Sequence, residues 1–178
     1  MEVFEVNLHT TGDNDCLRSV VGYPIKGNEV LSKGYGVTPH DPYSAAIQFT
    51  QVAKFWGNEC KTPVYHDVLS FTKKTAPTAE RAMELTEEIF ASYLDDHLAL
   101  VGVHHKERGS SAYHTHTVIS PTNYRNGKLM YADNSTLFPL AQHAADVMQQ
   151  TVRLVVKPED KGKKEFHRLF YPHRRWEE

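Results

Sequence analysis

His114 and His116 stand one residue apart in the run Tyr113-His114-Thr115-His116-Thr117-Val118-Ile119-Ser120, whose composition predicts a strand. Side chains alternate along a strand, so both imidazoles project from one face, about 7 Å apart. Two imidazoles on one rigid face can make half of a metal site. His104 and His105 end the preceding apolar run, Leu98-Ala99-Leu100-Val101-Gly102-Val103. If the two runs pair, three imidazoles converge and can hold a divalent cation with positions left open for a substrate phosphate. Only one of His104 and His105 can join, because neighbours on a strand face opposite ways. The chain holds 11 histidines, so an H-x-H alone is more often a pair of exposed or core-edge residues, and the flanking sequence has to decide.

The elements that would position these rings can be read from periodicity and punctuation. Phe4, Val6 and Leu8 alternate in a first strand at 2–10, and Asp13 or Asn14 can cap a short helix at 15–22 that Pro24 ends. Residues 24–40, rich in Gly and Pro, are expected to be irregular. Asp41-Pro42 opens a helix at 42–56 whose Ala46, Ile47, Phe49, Ala53 and Phe55 form its apolar face, with Gly57 as the stop. A strand at 64–71 precedes a helix at 78–96 capped by Thr78. Ala82, Leu85, Ile89 and Tyr93 face inward there, and Glu80, Glu84, Glu87 and Glu88 form a solvated face. Strands at 98–105 and 114–120 flank a polar loop with Gly109-Ser110-Ser111. Asn126-Gly127 marks a tight turn, a helix runs from Ser135 or Thr136 to about 150, and a last strand lies at 153–156. Strands and helices do not alternate regularly, which predicts an α+β fold: an antiparallel central sheet with helices packed on it.

A chain of 178 residues, 40% hydrophobic and 24% charged, suits one soluble globular domain. No apolar run reaches membrane-spanning length, and the acidic start, Met1-Glu2-Val3-Phe4-Glu5, is unlike a signal peptide. Cys16 and Cys60 read as two reduced thiols, so a cytoplasmic protein is expected. The net charge of −2 is unevenly spread. Residues 161–178 carry Lys161, Lys163, Lys164, Arg168, Arg174 and Arg175 against three glutamates, a balance of +3, leaving −5 for residues 1–160. Phe166, Phe170, Tyr171 and Trp176 interleave with these cations, a pairing suited to the phosphates and bases of single-stranded nucleic acid. A solvated tail whose aromatic rings pack back on the domain is the competing reading. The expected division is a domain at 1–160 and a basic, aromatic tail at 161–178.

From residue 64 to 146 the chain resembles the relaxase (plasmid mobilisation nuclease) family of HUH endonucleases. The resemblance rests on five segments in order: Tyr65-His66-Asp67-Val68-Leu69-Ser70-Phe71, the helix from Thr78, Val101-Gly102-Val103-His104, His114-Thr115-His116, and Ser120-Pro121-Thr122-Asn123 with Asn126-Gly127-Lys128-Leu129. It departs from the family in a Ser at 120 where Asn is usual, and in a slightly longer loop between His104 and His114. The amino-terminal nucleophile motif corresponds to Val20-Val21-Gly22-Tyr23-Pro24-Ile25-Lys26, where Pro24 and Lys26 match but Val20 holds the tyrosine's place.

The resemblance implies a DNA strand transferase. Such an enzyme nicks and rejoins single-stranded DNA at the transfer origin of a plasmid or mobile element, through a 5′-phosphotyrosine intermediate and with accessory relaxosome proteins. It implies Mn²⁺ or Mg²⁺ as cofactor, held by His104, His114 and His116. Tyr23 is the candidate nucleophile, ahead of Tyr35 and of Tyr113, which points to the opposite face from His114. His66 and Glu107 are candidate supporting residues, Asp67 an alternative carboxylate to orient a ligand ring, and the six basic residues of the tail candidate DNA contacts. Two other readings stay open: a relaxase-like DNA-binding or regulatory protein impaired in catalysis, and a metal-dependent phosphoesterase that uses water.

Overall fold

Alternation in β1 (Glu2–His9) sends Phe4, Val6 and Leu8 to one side and Glu5, Asn7 and His9 to the other, and this split divides the whole molecule. A computed structural model describes residues 1–9, 14–38, 41–59, 62–107, 112–160 and 162–174. After β1 come α1 (Asn14–Val21), a 3₁₀ turn (Tyr23–Ile25), β2 (Leu31–Tyr35), α2 (Pro42–Phe55) and β3 (Val64–Ser70). Then follow α3 (Ala79–Leu94), β4 (His97–His105), β5 (Tyr113–Asn123), α4 (Asn134–Met148), β6 (Val152–Lys157) and β7 (Phe166–Phe170). The strands form one sheet in the order β2-β4-β5-β3-β1-β6-β7. Five of its six pairings are antiparallel, and β1 with β6 is parallel. The fold is the expected α+β arrangement.

One face is covered by α3 and α4. Phe4, Val6, Tyr65, Leu69, Val101, Val103 and Ile119 meet Ala82, Leu85, Ile89, Phe90, Leu140 and Ala144 there. Thr78 Oγ1 accepts the Arg81 N–H at 3.1 Å to start α3, and Asp133 Oδ1 accepts the Ser135 and Thr136 amides to start α4. The other face is covered only at one end, where Val64, Leu98, Leu100 and Val118 pack against Leu17, Val21, Ala45 and Phe49 of α1 and α2. The rest of that face carries the histidines. No helix among the described residues is long and apolar enough to cross a membrane.

Four sequence expectations change. Within the stretch read as irregular, Leu31–Tyr35 pairs with β4 as an edge strand. It is held on its other flank by α3: Lys33 Nζ lies 2.7 Å and the Tyr35 hydroxyl 2.6 Å from Glu87 Oε1. Tyr35, weighed as a lesser candidate nucleophile, is therefore tied into the sheet edge; burial, then the bond to Glu87, pushes its phenol well above the usual range. Third, α2 buries Ala45, Ala46 and Phe49 but turns Ile47 and Phe55 outward, Phe55 being 79% exposed. Finally, residues 166–170 form a seventh strand on β6, although only Phe170 of the five is buried. The Gly109-Ser110-Ser111 loop, the proposed Asp13 cap and Cys60 lie outside the described residues, as does the side chain of Cys16.

Candidate functional site

His114 pairs directly with His104 across β5 and β4, and His116 pairs with Gly102 on one side and Val68 on the other. Direct partners share a face, so His104, His114 and His116 project together on the face away from α3 and α4. Their ring centroids lie 5.7 Å (104–114), 5.0 Å (104–116) and 4.7 Å (114–116) apart. His66 of β3 belongs to the same group: its Nε2 is 2.9 Å from His116 Nδ1, one ring donating to the other. His9 of β1 stacks on His66 at 6.0 Å, which extends the row to five imidazoles. His105 and Tyr113 pair with each other on the opposite face.

Tyr23 reaches this group although it is far away in sequence. Its ring lies 4.6 Å from that of His116 and 5.1 Å from that of His66, with Lys26 Nζ 4.6 Å above it. Two contacts fix the 3₁₀ turn that presents it. His104 Nε2–H donates to the Pro24 carbonyl at 3.0 Å, which sets that ring's tautomer. Gly102 supplies the space, since a Cβ there would fall 1.8 Å from the Pro24 oxygen. The backbone can rest directly on β4 only because residue 102 has no side chain.

Crowding and burial make the group electrically neutral. Burial, then the neighbouring rings, pushes His116 down to about 2. Burial, then a neighbouring histidine, pushes His66 and His114 each to about 4, and burial lowers His104. Neutral imidazoles keep lone pairs, the form in which they bind metals. In kind, the His104–His114–His116 set fits a divalent cation. Yet no group of three His, Cys, Asp or Glu among the described residues is arranged around a common ion position. Two nitrogens are already engaged: His104 Nε2 with Pro24, and His116 Nδ1 with His66. His104 would have to release Pro24 or bind through Nδ1.

Other sequence candidates fall elsewhere. Asp67, weighed as an orienting carboxylate, pairs with Thr117 on the α3/α4 face, fully buried, with Oδ1 unpartnered. Burial alone pushes it up to about 8. It cannot orient a ring across the sheet. Glu107 lies exposed beyond the end of β4. The carboxylates whose charge reaches the row are Glu5, acting on His66 and His114, Glu29, acting on His104, and Glu159, acting on His9. Glu5 was legible in principle, as the polar position of β1 in step with His9.

In the carboxy-terminal segment, Lys163 lines a hollow with His9 and Lys157, and Lys164 and Arg174 are exposed. Arg168 lies over Phe138 at 4.3 Å, on the α4 side of the sheet. Lys161, Arg175 and Trp176 lie outside the described residues.

Residues 25–152, more than two thirds of the chain, match the family model for the relaxase nuclease domain, MobA/VirD2-like. The matched segment contains His66 and the three clustered histidines of β4 and β5, and begins two residues after Tyr23. No curated protein matches the chain closely.

Proposed function

The chain belongs to the MobA/VirD2-like relaxase nuclease-domain family, a family of DNA-nicking mobilisation proteins, and from that premise we propose that it nicks and rejoins single-stranded DNA at a transfer origin with Tyr23 as nucleophile. The observation that carries the reading is the Tyr23 ring seated against His66 and His116, beside the H-x-H pair. The Tyr23 oxygen forms a bond to phosphorus, the P–O3′ bond breaks, and the phenolic proton ends on the departing 3′-hydroxyl. The phosphotyrosine ester conserves the bond, so a 3′-hydroxyl can reverse the step.

Mn²⁺ or Mg²⁺, held by His104, His114 and His116, would draw charge from the non-bridging phosphate oxygens. The chain's own residues do the positioning. His104 and Gly102 seat the turn, His66 orients His116, and Lys26 places a cation beside the phenol. Lys163, Lys164 and Arg174 are the proposed phosphate contacts of the carboxy-terminal segment, with accessory proteins as further partners.

One observation favours a DNA-binding protein without nicking activity: His104 Nε2 is spent on Pro24. Incubation with labelled single-stranded oligonucleotides and Mn²⁺ separates the two readings. A protease-sensitive covalent adduct that Tyr23→Phe abolishes supports strand transfer. An adduct that forms at the parent rate in Tyr23→Phe removes Tyr23 from the role. Tight DNA binding with no adduct leaves the binding protein.

A further inference from the structure

Two adjoining hollows on the α1/α2 side share Arg18 and Tyr43. One, about 370 Å³, runs between the helices over Ile47, Gln51 and Lys54. The other continues over Gly22 and Ile25 to Lys26, whose ammonium stands above the Tyr23 ring. Together they make one groove whose end, at Lys26, adjoins the Tyr23 ring.

Its lining combines exposed apolar side chains with cations. Tyr43 and Ile47, one helical turn apart on α2, are 60% and 40% exposed, where a helix packed only on its own core would bury such a pair. Three cations line the groove, Lys26, Arg18 and Lys54, in a chain of net charge −2. The one lining carboxylate, Asp41, accepts the Ser44 amide at the start of α2. The Arg18 guanidinium lies 5.8 Å from the Tyr43 ring centre.

We infer that this groove holds the single-stranded DNA next to the scissile phosphate, with phosphates along Lys54, Arg18 and Lys26 and a base stacked on Tyr43. Interleaved cations and exposed aromatic rings are what a single strand needs, one set for its charge and the other for its bases. The groove extends along α2 from residue 43 to 54, a rise of about 16 Å, which accommodates several nucleotides. A single strand of DNA uses both the exposed rings and the cations, and it must leave Tyr23 across some neighbouring surface. The inference rests on the strand-transfer reading and names the path of its substrate.

The test is fluorescence anisotropy with a fluorescein-labelled dT20 oligonucleotide and the full chain, titrated at several salt concentrations. Tyr43→Ala should weaken binding about tenfold, within the range for one lost base stack. Arg18→Gln with Lys54→Gln should flatten the salt slope by about 1.4, roughly 0.7 for each lost phosphate contact. Thermal melting checks that both variants fold. Because Arg18 can also serve the fold, photocrosslinking of an iodouracil-substituted oligonucleotide, with Tyr43 as the expected adduct, gives a readout that needs no variant. If the parent binds and forms adduct while every variant keeps its affinity and slope, the groove is overturned and strand transfer stands. If the parent neither binds nor reacts, strand transfer fails and the groove with it. If the variants change self-association in sedimentation and leave DNA binding alone, the groove serves a second copy of the chain and the inference is overturned.

Discussion

Gly102→Ala is expected to silence strand transfer without unfolding the protein. The added Cβ would fall 1.8 Å from the Pro24 oxygen, whereas real Cβ contacts stay at about 3.0 Å or more, so the turn must retreat by at least ~1.2 Å. The Pro24 carbonyl is also the acceptor for His104, and the adjacent Tyr23 ring sits 4.6 Å from that of His116. The phenol therefore shifts with the carbonyl. Misplacing a reacting group by about 1 Å costs on the order of 100-fold in rate, equivalent to roughly 2.7 kcal/mol on the barrier. The sheet should bear the change, because the clash is with a surface turn and not with a neighbouring strand. The assay is single-turnover accumulation of the covalent adduct with Mn²⁺, beside a thermal melt and a Mn²⁺ titration. A melt near the parent's with adduct formation slowed about 100-fold is the expected result. An adduct rate within about threefold of the parent would show that the turn's seat on β4 does not position the nucleophile.

His116→Ala should abolish adduct formation and weaken Mn²⁺ binding in a calorimetric titration, while the circular dichroism spectrum stays that of the parent. Asp67 stays protonated up to about pH 8 when folded but ionises near 3.8 when unfolded, so stability is lost as pH rises through that window, by up to ~1.4 kcal/mol per unit. Asp67→Asn removes that loss, and urea unfolding should show its advantage over the parent growing between pH 5 and pH 8. The Tyr65 hydroxyl donates to the Met130 carbonyl and accepts the Ala132 amide, so Tyr65→Phe should cost about 1–3 kcal/mol in urea unfolding, and a change under ~0.5 would contradict the pairing. Arg168→Ala should leave the salt slope of DNA binding unchanged, whereas Lys163→Gln should lower it by about 0.7.

The strands that carry the histidines were legible because each is strongly apolar or β-branched and cleanly bounded. His114 and His116 were legible as a pair because strand periodicity alone puts them on one face. β2 was hidden: its five residues, Leu-Ser-Lys-Gly-Tyr, contain a glycine and no alternation, and its support comes from Glu87 on a helix more than 50 residues away. β7 was hidden for a related reason, since an edge strand with four exposed residues shows no buried face to read. Ile47 and Phe55 read as inward because an apolar residue on a helix implies a core, and nothing local marks a stripe left open. The place of Tyr23 against the rings depends on Gly102, where the informative property is a missing side chain.

The parallel pairing of β1 and β6 sets an order of assembly. Glu2 lies opposite Val152, 150 residues later, while β1's other neighbour, β3, is complete by Ser70. During synthesis the first strand can dock on β3 early, but its second edge stays open until residues 152–157 have been made. The histidine face does not wait, because β3, β4 and β5 are all present once residue 123 is made. Long-range closure is the slow step in folding such sheets. The interval before β6 arrives is therefore when the nascent chain exposes an unpaired, hydrogen-bond-hungry edge, and when chaperone protection would matter most.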